Sequence, residues 1–367
     1  MISLHTAAVV GEGGSHVTPA RRSSDRWFFP GAVWATQLAC ALLVVFVAGH
    51  VLQHGPLSKH QAFDDWFRGF AAWDSGWYLA IARHGYPDLQ HTAFFPLYPL
   101  LIRYTSAVLG GDLATVGFLI SNLSFLAALL VLYRLAADHF DESVAKRAIL
   151  LIAVYPMGLF YHAVYTESLT LLATSLFFYL MAKDRWFTAI LVVGIASAGK
   201  QLTVVLGLVA LIYLGRSYAK LPRRQWVLRL LSLAVIPAGL FAYMGFLWYS
   251  HGNPLAFIEA QQGWYRQTMI PVYSVFAVWY RVYTSAQLSV GDWNYAVIQW
   301  VNGGLTLVFY AMATWGLLSR RLAPGMLLFS FIILALATSS GSGDLNTYGR
   351  QFDVLSHLLP GGGIAEQ

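Results

Sequence analysis

Gly215–Arg229 reads GRSYAKLPRRQWVLR, five cations and no acid set between the apolar runs at 201–215 and 229–249. Such a segment stays out of hydrocarbon. Lys and Arg close to apolar spans are also retained on the cytoplasmic side, so the run orients both neighbouring segments at once. Counting outward from it assigns a side to every other loop in the chain.

The composition supports that count. Of 367 residues, 57% are hydrophobic and 11% charged, whereas a soluble domain carries roughly 25% charged residues. Crossing the hydrocarbon layer takes about 20 apolar residues in a helix. Runs that approach this length lie near 33–53, 113–134, 147–162, 167–182, 186–199, 201–215, 229–249, 296–318 and 324–340. The expected fold is therefore all-α, a polytopic transmembrane bundle of about nine spans, with its N-terminus in the cytoplasm.

On this topology the cytoplasmic side receives Arg21, Arg22, Arg26, Arg134, Lys146, Arg147, Lys183, Arg185, Arg216, Lys220, Arg223, Arg224, Arg229, Arg320 and Arg321, which is 15 of the 23 Lys and Arg. The formal charge of +6 then reflects topology and contact with anionic headgroups. A soluble basic face for nucleic acid is not found, so nucleic acid is not an expected partner; membrane lipids are.

Residues 1–26 read as a cytoplasmic tail with no cleavable leader, since the apolar run after them lacks a small-residue cleavage site. Residues 27–340 read as one membrane-embedded domain with two long outer loops, 53–112 and 250–295. Residues 341–367 read as an outer tail. Cys40 is the one cysteine and lies in the first span, which excludes an intramolecular disulfide.

Long loops carry function more often than they merely connect. The first contains DDWFRGFAAWDSGWYLAIARHGYP (64–87) and TAFFPLYPLLIRYTSAVL (92–109), amphipathic or apolar but interrupted. These predict interfacial helices with Trp66, Trp73, Trp77 and Tyr78 at headgroup depth. A re-entrant or tenth spanning segment at 92–109 is the competing reading.

Four groups of residues stand out for chemistry. Asp74, in AAWDSGWYL, either caps a helix or acts as a base near the lipid surface. Glu167, in YHAVYTESLTLL, is an ionisable group at a span's outer end and equally a candidate for a helix start. Lys200, in IASAGKQLTVVL, has no acid near it in sequence and is either a snorkelling lysine or the partner of a phosphate. Gln261, Trp264 and Arg266 follow a Gly-Asn-Pro turn in the second loop, suited to a sugar or phosphate, though a Trp beside an Arg is also an ordinary interfacial anchor.

Arg350, in NTYGRQ, reads by itself as a tail residue. His84 and His91 lack any tight ligand spacing, so no metal ligand and no cofactor is assigned, although a divalent metal stays compatible with the chemistry.

WDSGWYLAIARHGYP with TAFFPLYPLLIR, YTESL, GNPLAFIEAQQGWYR and GDLNTYGRQ together resemble the PIG-V family of mannosyltransferases, polytopic enzymes of the GT-C glycosyltransferase class. The resemblance implies transfer of mannose from a polyprenyl-phosphate donor to a lipid-linked glycan acceptor on the extracytoplasmic or lumenal face. Asp74 matches the acidic residue expected to serve as catalytic base. Trp73, Trp77, Tyr78, Glu167, Lys200, Gln261, Trp264, Arg266 and Arg350 fall in the matching stretches as substrate-binding candidates.

The eukaryotic members act in glycosylphosphatidylinositol assembly, in the endoplasmic reticulum. This compact chain looks more like a prokaryotic relative in the plasma membrane with another glycolipid acceptor. Two departures are visible. GKQLT places Lys200 where the family usually shows an arginine, so a point charge replaces a bidentate fork. After YGRQ the chain ends in FDVLSHLLPGGGIAEQ rather than a final apolar run, as a truncated or shifted reading frame would.

Outside enzymes, the alternative is a multi-span transporter or lipid scramblase. That class places charges at mid-span and pairs broken helices in repeated halves. Here most charges lie in loops or at span ends, and no duplication is visible. A structural subunit that recruits partners would fit the aromatic outer loops only loosely.

Overall fold

The computed structural model describes residues 25–52, 68–261, 266–268, 290–319, 324–338 and 340–342. Its first helix, α1 (Asp25–Leu52), is followed by two short helices, α2 (Ser75–His84) and α3 (Leu97–Leu109). At 10 and 13 residues both fall well short of the about 20 needed to cross. Neither is long enough for a tenth span, and helices this short fit both the interfacial and the re-entrant reading.

The longest central element is α4 (Leu113–His139). Asp112 caps it, its Oδ1 accepting from Ala114 N at 2.9 Å and Thr115 N at 3.1 Å. Packed on α4 are α1, α5 (Glu142–Ala153) and α6 (Glu167–Ala182), around the fully buried Phe125, Leu129 and Tyr133. Asp141 caps α5 by accepting from Val144 N at 2.8 Å.

The segment expected to span at 147–162 is broken. α5 stops at Ala153, Tyr155 is extended (φ −62°, ψ 130°), and Pro156–Tyr161 forms a 3-10 turn. Pro156 is the cause, because its ring disfavours helical geometry in the preceding residue and supplies no N–H to continue the ladder.

Beyond α6 come α7 (Trp186–Ala196), a 3-10 turn at Gln201–Val205, α8 (Leu206–Arg216), α9 (Arg223–Ser232), α10 (Ala238–His251) and the single turn α11 (Ala256–Ala260). Then follow α12 (Val290–Leu318) and α13 (Pro324–Thr338), with a short antiparallel pair, β1 (Arg266–Thr268) and β2 (Ser340–Ser342).

Among the described residues three helical stretches are long and apolar enough to cross a membrane: Trp27–Val47, Leu113–His139 and Arg223–His251. Apolar segments were also expected at 167–182, 186–199, 201–215, 296–318 and 324–340, and these carry shorter apolar helices.

The outward faces of these helices are what a lipid environment requires. Phe187, Leu191 and Ile195 form an exposed i, i+4, i+8 stripe on α7, and Leu119 and Leu123 do the same on α4. Apolar ridges this continuous are not left facing water. This is a membrane protein.

Charge on α6 is kept to its ends. α6 begins at Glu167, while Lys183 and Asp184 lie just past its other end. There Lys183 Nζ reaches Asp138 at 2.9 Å and Arg229 donates to Asp184 at 2.9 Å. A helix of 16 residues rises about 24 Å, so these pairs are remote from Glu167.

One crossing decides where Lys200 sits. α10 meets the C-terminal end of α7 at Gly239, where an added Cβ would come within 2.6 Å of both Ala198 N and Gly194 O. Those are backbone atoms and cannot swing aside. Gly239→Ala is therefore expected to destabilise by about 1–3 kcal/mol through overpacking, read as a lower thermal midpoint in detergent. Gly245→Ala, on the same helix with nothing within 4 Å of its Cβ, serves as the control and should be neutral or mildly stabilising, since Ala is the better helix former.

Candidate active site

The start of α2 is unusual from the backbone up. Trp73 has φ +53°, the left-handed region that residues with a side chain seldom occupy. Asp74, in the N-cap position, has helical angles (φ −63°, ψ −15°) and its side chain makes no cap hydrogen bond. Asp112 and Asp141, both extended, do cap their helices. Asp74's capping reading therefore fails on geometry, and its carboxylate lines a cavity. Its own N–H donates to the hydroxyl of Tyr165 at 2.9 Å, a contact across 91 residues.

Tyr165 belongs to the loop that enters α6, and that loop is pinned to α4. Asn122 Nδ2 donates to His162 O at 3.2 Å, the His162 ring pairs with Asn122 Oδ1 at 2.6 Å, and Ser121 Oγ donates to Tyr165 O at 3.2 Å. The hydroxyl of Tyr98, on α3, lies 2.6 Å from Ser121 Oγ. Backbone adds Val164 N to Phe70 O at 2.9 Å. One rigid helix thus fixes the loop that holds both Asp74 and Glu167.

Thr166, just ahead of Glu167, makes no side-chain cap bond, and its Oγ1 sits 3.5 Å from the hydroxyl of Tyr78. Burial pushes the Tyr78 and Tyr165 phenols well above the usual tyrosine range. Both remain protonated at neutral pH and act as hydrogen-bonding groups rather than bases.

Lys200 follows the turn that ends α7. This turn is tied to α3 by Leu97 N donating to Ala198 O at 2.9 Å, and to α10 by Leu240 N donating to Ser197 Oγ at 3.1 Å. Lys200 Nζ donates to Glu167 Oε1 at 3.0 Å, both side chains about one-third exposed. The acid that Lys200 lacks in sequence is supplied by the fold, so its ammonium is ion-paired inside the protein.

Gln261 arrives from the other long loop. Next to it, α11 buries Ala256 and Phe257 against Phe95 and Tyr243, and Tyr243 donates to Thr92 O at 2.8 Å. The two loops therefore meet. Between them lies a cavity of about 250 Å³ lined by Asp74, Tyr78, Phe94, Phe95, Tyr165, Thr166, Glu167, Lys200, Gln201 and Gln261.

Five of the residues singled out in the sequence thus share one cavity: Asp74, Tyr78, Glu167, Lys200 and Gln261. Two others flank it. Trp77 stacks on Phe94 at 5.5 Å and so backs a cavity wall, while Trp73 is 71% exposed, its ring 6.0 Å from Phe160. Arg266 is described by its backbone, in β1. Trp264 and Arg350 lie outside the described residues.

His91 is held by Asp88 at 2.7 Å, and His84 ends α2. Among the described residues no group of three or more His, Cys, Asp or Glu side chains could hold a metal.

Sequence reasoning missed Tyr165, Thr166 and Gln201. The first two lie inside the YTESL stretch, but a tyrosine in a membrane chain ordinarily signals an interfacial belt, and nothing local shows that its hydroxyl reaches Asp74.

Apolar helices here gather carboxylates, a lysine and amides into one cavity at their ends, an arrangement suited to a polar substrate at a membrane. The family model for Mannosyltransferase (PIG-V) matches residues 47–271, well over half of the chain, and the chain belongs to that family. It is a mannosyltransferase, acting between a sugar donor and a glycolipid acceptor. The match includes every cavity residue and ends before Arg350. No curated protein and no solved structure matches the chain.

Proposed function

We propose that the protein moves a mannose from polyprenyl-phosphate mannose to a hydroxyl of a lipid-linked glycan, with inversion, on the extracytoplasmic or lumenal face of a membrane it crosses many times. The observation that carries this reading is that Asp74 and the Lys200–Glu167 pair line the same cavity.

Asp74 takes the proton of the acceptor hydroxyl as its oxygen attacks the anomeric carbon. The bond from that carbon to the phosphate oxygen breaks on the opposite face, and the polyprenyl phosphate leaves with the electron pair. Lys200 neutralises the charge that develops on this leaving phosphate, a role for a cation held in place beforehand. Glu167 holds it there. Tyr78 and Gln261 contact the sugar.

Trp264, Arg266 and Arg350 add contacts to the donor, and Trp73 and Trp77 keep the first loop at headgroup depth. The excess of Lys and Arg in the loops on the other side supports an outward-facing cavity.

The test is product formation. Membranes with the protein, supplied with labelled polyprenyl-phosphate mannose, should yield a labelled glycolipid that membranes without it do not. Failure to label any endogenous acceptor would count against the donor and acceptor assigned.

A further inference from the structure

We propose that Glu167 Oε2 accepts a hydrogen bond from one hydroxyl of the transferred sugar, which makes Glu167 the residue that reads that hydroxyl. The inference rests on the mannosyl-transfer reading and concerns the same cavity.

The two oxygens of Glu167 are in unequal circumstances. Oε1 accepts from Lys200 Nζ at 3.0 Å, whereas Oε2 is buried and has no hydrogen-bond partner among the described residues. A carboxylate oxygen taken out of water without a donor is costly, and such oxygens are nearly always satisfied.

Three donors around this carboxylate are engaged elsewhere. Lys200 Nζ is on Oε1, the Tyr78 hydroxyl is beside Thr166 Oγ1, and the Tyr165 hydroxyl accepts from Asp74 N and faces Ala72 O. Glu167 lines the roughly 250 Å³ cavity, so a group that enters it can supply the missing proton donor. A carboxylate oxygen accepts but does not donate when ionised, so the group it selects is a hydroxyl or amine.

Connectivity then picks the donor sugar over the acceptor. A phosphate held at Lys200 is bonded directly to the sugar's anomeric carbon, so the ring must lie beside whatever adjoins Lys200. Glu167 adjoins it through the ion pair. One sugar hydroxyl against Oε2 completes the carboxylate, and the resulting O–H···O⁻ bond is charge-assisted.

The experiment uses the full chain in membranes with polyprenyl-phosphate mannose and its 2-, 3-, 4- and 6-monodeoxy analogues as donors. In the wild type one deoxy donor should lose roughly 10- to 100-fold in kcat/KM, the loss of a hydrogen bond to a charged group, while the others change little. In Glu167→Ala that particular penalty should disappear, although transfer from the complete sugar also slows.

Glu167→Gln keeps the size and an acceptor for Lys200, so it carries the test if the alanine variant fails to insert. There the bond becomes neutral and the penalty should shrink to a few-fold. A merely structural glutamate would slow all donors alike. An unchanged deoxy profile in the variants overturns this inference alone, whereas absence of product from the wild type with complete donor overturns the transfer reading beneath it as well.

Discussion

Asp74→Asn is expected to lower mannose transfer by roughly 10²- to 10⁴-fold, the usual contribution of a positioned general base, with the loss in kcat. Asparagine keeps the shape of the side chain and the backbone N–H that donates to Tyr165 at 2.9 Å. It removes the capacity to take a proton. The helix does not need the carboxylate as a cap, since Asp74 makes no side-chain cap bond to α2.

The cap is therefore not what the substitution removes, and the rate should collapse even in a variant that inserts normally. Initial rates with labelled donor, together with the midpoint of the same purified variant, check this. Full activity in a well-inserted Asn variant would remove Asp74 from the mechanism and leave the cavity without its proposed base.

Why Asp74 could be suspected but not assigned from sequence is instructive. Two other aspartates in similar surroundings, Asp112 and Asp141, do cap helices. What separates Asp74 from them is its helical backbone and the left-handed Trp73 before it. Its N–H is met by Tyr165, 91 positions along the chain, and no local pattern encodes such a contact. The companion motifs of the family resemblance are what favoured the base over the cap.

The Lys200–Glu167 pair is hidden for a similar reason. Its members are 33 residues apart, Glu167 at the start of α6 and Lys200 in the turn after α7, so helical periodicity cannot relate them. The charge bias of the loops assigned both to the same side, and the shared cavity is in keeping with that assignment.

Apolar helices were legible because apolar runs are a local property; their lengths were not. α7 and α8 are 11 residues each, shorter than the runs that announced them, because a turn at Ser197–Lys200 ends α7 and a 3-10 turn at Gln201–Val205 precedes α8. At 147–162 the apolar sum concealed Pro156, whose effect is stereochemical and has no weight on a hydropathy scale.

Lys200 offers the second large effect, and it tests the distinction between holding the fold and stabilising charge. Lys200→Met is expected to reduce transfer by roughly 10²- to 10³-fold, the range for removing one preorganised donor from a developing oxyanion. It also takes away the partner of Glu167 Oε1 and so leaves a carboxylate with neither oxygen paired among the described residues. Both side chains are about one-third exposed, so solvent screens much of that cost and the thermal midpoint should fall only modestly.

Adding Glu167→Gln to Lys200→Met removes the stranded charge. The double variant should recover the midpoint and stay at least as slow as the single one, because the phosphate still lacks its cation. Lys200→Arg keeps the charge and brings the fork that the family resemblance places at this position, so it should retain most of the rate. Recovery of transfer together with stability in the double variant would show that Lys200 serves Glu167 alone. A slow but stable enzyme would show that the ion pair exists to hold a cation ready for the leaving phosphate.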